Sequence, residues 1–100
     1  MLEEITRSTF AENMNSTFRL YYAPGQAMQV ELVELSGGRS SPQQTVFSVV
    51  FRGSPDTVLS QGTYRMEHDT LAPFDLFLVP ISRDKEGTYY EAVFNRLTQG

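Results

Sequence analysis

Residues 46–95 read VFSVVFRGSPDTVLSQGTYRMEHDTLAPFDLFLVPISRDKEGTYYEAVFN. Four apolar-rich runs of strand length lie in this stretch, at residues 45–52, 62–68, 74–82 and 87–96. Gly, Pro, Ser and Asp clusters separate them. Period-2 runs punctuated by turn residues specify an antiparallel β-meander. No catalytic constellation is visible in it.

Upstream, residues 17–23 and 27–35 read as two more strands, with Pro24-Gly25 turning between them. Pairing Tyr22 with Met28, Leu20 with Val30 and Phe18 with Leu32 gathers six apolar groups on one face. A slip by one residue would set them against Ala27, Gln29 and Glu31, so burial selects the first register. The apolar phase then switches from Leu32 to Val33 and Leu35. A period-2 strand cannot do that unaided, so a bulge or sharp bend is expected near Val33.

Residues 36–44, SGGRSSPQQ, read as a connecting loop. The paired glycines lack the Gly-Lys-Ser/Thr and the helix that a phosphate-binding loop requires. Residues 5 to about 14 read as one short helix with Thr6 or Ser8 as cap and Ile5, Phe10 and Met14 toward the sheet. In the last hairpin, pairing Ser82 with Tyr89 sets Phe77 opposite Phe94, Val79 opposite Ala92 and Ile81 opposite Tyr90. It also sets Asp75 opposite Arg96 as a cross-strand ion pair. Leu76, Leu78, Val93 and Tyr89 then share the other face. Both faces are apolar, so something must cover the second one.

The fold expected is mainly β: a six-stranded antiparallel barrel-like sheet with one short N-terminal helix, a single domain over residues 1–100. Aromatic side chains would fill the interior, and a large ligand cavity is not expected in so short a barrel.

Composition narrows the function classes. The chain has 100 residues, no cysteine, a net charge of −4 and a pI near 4.8. Zero cysteine excludes a disulfide scaffold, a thiolate zinc site and a cysteine nucleophile, and suits a reducing compartment. The acidic balance, with bases spread singly, argues against nucleic acid. The acidic start MLEEITRS is no secretory signal, and the most apolar run, Leu71 to Ile81, is too short to span a bilayer. A cytoplasmic protein is the expectation. The sequon at Asn15-Ser16-Thr17 reads as coincidence without a signal peptide.

His68 is the only histidine. In Glu67-His68-Asp69 it reads as the polar end of a strand, because metal sites need three or four converging ligands. A Ser-His-Asp triad lacks any Gly-x-Ser-x-Gly elbow. Arg52, Arg65, Glu67 and Glu91 inside strands read as surface pairs, and Tyr21, Tyr64 and Tyr90 as packing or contact residues. No catalytic, cofactor-binding or metal residue is assigned, and no cofactor is expected.

Together Phe10, Asn15 to Phe18, Phe51-Arg52-Gly53, Gln61-Gly62-Thr63-Tyr64, Glu67-His68, Phe77-Leu78-Val79-Pro80 and Tyr90-Glu91-Ala92-Val93-Phe94-Asn95 resemble a family of uncharacterised bacterial proteins of about one hundred residues. That family is known only as a domain of unknown function. Asn15 stands where it often has Gly. The resemblance implies genes near phage-tail-like collar or fibre genes, and no activity to carry over. The leading expectation is a non-enzymatic structural or protein-interaction module, an accessory of such a multi-protein assembly. Its partner would be another protein or a second copy as a homodimer, through sheet faces. The second class is a small-molecule binding β-barrel. A hydrolase using His68 is the third.

Overall fold

A computed structural model describes residues 6–40 and 44–97, with only the backbone at 38–40, 44–45 and 95–97. The order is α1 (Arg7–Glu12), β1 (Thr17–Ala23), β2 (Gln26–Ser40), β3 (Gln44–Gly53), β4 (Gly62–Glu67), β5 (Phe74–Asp84) and β6 (Gly87–Leu97). The strands form a closed antiparallel barrel in the order β1-β2-β3-β6-β5-β4. The seam between β1 and β4 is short: Arg19 faces Glu67, Leu20 faces Met66 and Tyr21 faces Arg65.

Inward-facing side chains fill the barrel. Phe18, Leu20, Val30, Leu32, Val49, Phe51, Met66, Leu78 and Tyr90 are all buried in one cluster. Burial of this apolar surface is the main force that closes the sheet.

The bulge expected near Val33 is present. Leu32 pairs with Phe51 and Glu34 with Val50, which leaves Val33 as the extra residue. The inward phase thereby passes from Leu32 to Leu35, which packs against the core.

Three sequence expectations are corrected. First, β1 and β2 pair two residues away from the expected register: Phe18 faces Val30 and Leu20 faces Met28. The inward faces are those expected, because a shift of two preserves parity. Pro24-Gly25 makes a two-residue turn with Gly25 at φ 71, and Tyr22 bulges out to solvent beside it. A Pro then a positive-φ Gly is the type II arrangement, and it pins the hairpin tighter than pattern alone could show.

Second, residues 36–40 and 44 are not loop. Both strands run on, with Ser36 opposite Ser48 and Ser40 opposite Thr45, across a second bulge at Gly38. Residues 41–43 lie outside the described residues.

Third, the β5–β6 register holds only near the turn, where Ser82 faces Tyr89. A bulge at Ile81 then sets Pro80 opposite Tyr90 and Val79 opposite Glu91. That one residue puts Leu76 and Leu78 on the same face as Tyr90 and Ala92, in place of Phe77 and Val79. Leu76 and Leu78 are buried, while Phe77 points out. Asp75 lies opposite Arg65 of β4. Its expected partner Arg96 has its side chain outside the described residues.

One end of the barrel is stopped by α1. Thr6 caps it, its hydroxyl accepting from the Thr9 N–H at 3.3 Å. Phe10 is fully buried among the rings of Phe47, Phe51, Phe74 and Phe94. A helix of six residues has no stability of its own, so this docking holds it. Ile5 of the expected apolar side lies outside the described residues, and Met14 packs against the core.

The link from α1 to β1 turns at Asn15, whose φ is 66. Its N–H donates to the Leu32 carbonyl at 2.8 Å. Asn tolerates this left-handed conformation better than residues with a bulkier Cβ. Asn15 is exposed, so substitution there isolates the backbone term. Asn15→Ala is expected to lose about 1 kcal/mol and Asn15→Gly to lose nothing, read from urea midpoints.

The other end is stopped by residues 54–61. Thr88 donates its hydroxyl to the carbonyls of Ser54 and Thr57, at 3.0 and 3.2 Å. Tyr90 donates toward the Thr57 carbonyl at 3.4 Å and accepts from the Leu59 N–H at 3.0 Å. Tyr90→Phe strands that N–H beside the core. It is expected to cost about 1–2 kcal/mol in denaturant unfolding, with the fold unchanged.

Candidate functional site

His68 follows β4 and packs against Phe18, with ring centroids 4.5 Å apart. Its Nδ1 accepts from the Thr70 N–H at 3.1 Å. The ring proton therefore sits on Nε2, which lies 3.0 Å from Ser16 Oγ and donates to it. The Ser16 hydroxyl donates in turn to the Asn13 carbonyl at 2.6 Å. A serine nucleophile needs the reverse polarity, with an unprotonated imidazole nitrogen accepting from the hydroxyl. This chain of bonds ties the end of α1 to the end of β4.

Outside the β1–β4 seam sits a charge network. Arg19 binds Asp69 at 2.9 Å and approaches Glu67 at 3.8 Å. Glu67 also accepts from the Tyr21 hydroxyl at 3.1 Å and meets Arg65 at 3.3 Å. The Arg19 hydrogen bond holds the Asp69 carboxyl below its usual range. Asp69 is largely exposed and Arg19 partly so, so their pairing adds little to stability. The network staples a seam of three residue pairs. Among the described residues no group of three or more His, Cys, Asp or Glu could hold a metal ion.

On the neighbouring wall Arg52 meets Glu31 at 2.6 Å across β2 and β3. A shallow polar depression of about 200 Å³ opens there, lined by Thr17, Gln29, Val30, Glu31 and Arg52. Of the tyrosines read as contact residues, Tyr90 is buried in the core. Tyr64 is half-buried with its hydroxyl on the Ser60 carbonyl. Burial pushes its phenol pKa up.

The outer face of β3, β6 and β5 has a different character. Val93 is 65% exposed, Phe77 53% and Val46 40%. Register places them together. Val79 faces Glu91, and the next outward residues in the same direction are Phe77 and Val93. Val93 faces Ser48, one outward step from Val46. These residues were not singled out as a site from sequence, although two apolar faces on this hairpin were visible there. The sequence sets Phe77 on the same face as Tyr90 and Phe94, and the Ile81 bulge puts it on the face of Val93 instead.

The family model of a domain of unknown function, DUF6916, matches residues 5–94. The chain belongs to this family. No curated protein and no solved structure matches it. The DUF6916 match spans α1 and nearly all of the barrel, so the helix plug and the closed sheet are parts of one family domain. Among the described residues no helix is long and apolar enough to cross a membrane.

Proposed function

We propose that this DUF6916 chain is a non-enzymatic protein-interaction module, an accessory of a multi-protein assembly, working through the outer face of β3, β6 and β5. The observation that carries the reading is the apolar group Val46, Phe77 and Val93, exposed on a wall whose inner side already serves the core. Contiguous apolar surface of this kind marks partner sites. The polar groups that chemistry would need support the same reading. His68 and Ser16 are tied to backbone groups, and Arg19 and Arg52 to carboxylates. A ligand-carrying barrel would need a lumen, and here side chains occupy it. Zero cysteine fits work in the reducing cytoplasm.

The test is Val93→Lys beside wild type, purified from the native cell under mild cross-linking. Losing one buried Val contact is expected to weaken association about tenfold. Thermal unfolding of the variant should match wild type, since the side chain is exposed. Equal recovery of every cross-linked species from both proteins would sink the proposal.

A further inference from the structure

The same outer face has a charge pattern, and resting on the interaction reading it identifies the partner's chemistry. In one row across the sheet, Glu34 of β2 faces Val50 of β3, which faces Glu91 of β6, which faces Val79 of β5. Strands lie about 4.8 Å apart, so the two carboxylates flank Val50 at a backbone separation of about 10 Å. Val50 points outward yet is only 6% exposed.

Neither carboxylate has a counter-ion among the described residues. Glu34 accepts from the Ser36 hydroxyl at 3.0 Å, a neutral partner. The Glu91 side chain makes no hydrogen bond or ion pair among the described residues, and the residue is half-buried. The bases nearby are committed elsewhere. Arg52 is held by Glu31, and Arg83 donates to the Pro55 carbonyl at 2.8 Å. Arg39, at the far corner opposite Val46, has its side chain outside the described residues. One strand step from this acidic row, about 7 Å away, lie the exposed Val93 and Phe77.

We infer that the partner on this face is a segment of another protein with apolar side chains flanked by Lys or Arg, and not a second copy of this chain. Apolar contacts meet Val93, Phe77 and Val46, and cations meet Glu91 and Glu34. A second copy docked face to face would crowd like carboxylates together in a chain that already carries −4. Juxtaposed like charges in an interface are a strong bar to the wrong partner.

The experiment is an NMR titration of the full chain with two synthetic peptides, one alternating Leu and Lys and one alternating Leu and Glu, beside a concentration series of the protein alone. The Lys peptide is expected to shift the Val46, Phe77, Val93 and Glu91 signals. Glu91→Gln should weaken its binding about threefold and added salt should weaken it further. The Glu peptide should leave these signals in place. If the Glu peptide moves them equally, or if concentrating the protein alone moves them, the inference falls while the interaction reading stands. If these signals stay fixed throughout, or if only residues elsewhere respond, both fall.

Discussion

Phe10→Ala is expected to cost about 3–5 kcal/mol of unfolding free energy, the range for a fully buried aromatic. In a domain of this size that lowers the melting temperature by roughly 15 °C or more. The ring lies 5.4 Å from that of Phe94, 6.2 Å from Phe47, 6.3 Å from Phe74 and 6.5 Å from Phe51. These residues come from β6, β3 and β5, so one side chain joins three strands at the open end of the barrel. Edge-on and tilted rings add to the area term. Truncation leaves a cavity whose walls are strands and cannot collapse far. It also undocks α1, since the helix has no other buried residue. Urea unfolding measures the loss, with Arg7→Ala, exposed on the same helix, expected to change nothing. Should the Ala variant fail to fold, Phe10→Leu is expected to lose about 1–2 kcal/mol. A loss below about 1 kcal/mol in Phe10→Ala, typical of an ordinary substitution, would show that the helix is not the stopper of the barrel.

Gly87→Ala is expected to destabilise by about 3 kcal/mol or more, at the upper end for overpacking. Gly87 opens β6 and is buried. A Cβ there would collide with the Arg52 side chain and with the Gly53 carbonyl oxygen at the end of β3. The side chain could swing away, but a carbonyl inside a paired strand cannot. The turn before it is also committed, as Asp84 Oδ1 accepts from the N–H groups of Glu86 and Gly87 at 2.8 and 3.1 Å. Gly25→Ala is the contrasting variant. No atom lies within 4 Å of a Cβ at Gly25, so only its φ of 71 opposes the change. That costs about 1 kcal/mol. Urea midpoints of the two variants compare steric exclusion with conformational strain. Equal losses would show that the close approach of β6 to β3 does not constrain the fold.

Some of the architecture follows from residues close in the chain. The phase change from Leu32 to Leu35 is enough to announce the bulge at Val33. Each side of it is a clean alternation, and only one extra residue reconciles the two. Thr6 or Ser8 as cap, with Ile5, Phe10 and Met14 on one side, announces a short docked helix. Glu67-His68-Asp69 reads as a strand end, and the hydrogen bonds of His68 are those of a strand end. In each case the signal is local: a period, a cap or a turn residue.

The stretch DLFLVPIS, residues 75–82, carries no such signal. Nearly every side chain in it is apolar, so Phe77 and Leu78 compete equally for the inside. A bulge at Ile81 settles the matter, and it exists because β5 must pair with β4 on one side and β6 on the other while the barrel closes. The same holds at Tyr22, where a two-residue turn and closure against β4 together expel an aromatic that pattern would bury.

The β class, the six strands, the Val33 bulge and the helix cap are thus written in the order of the residues, because each depends on neighbours a few positions apart. Folding in three dimensions was needed for the register of two hairpins, the continuation of β2 and β3 through residues 36–40 and 44, and the outward placement of Phe77 beside Val93. Each of these depends on how much room a closed ring of strands leaves inside. That is a property of all six strands together, so no single stretch of the chain contains it.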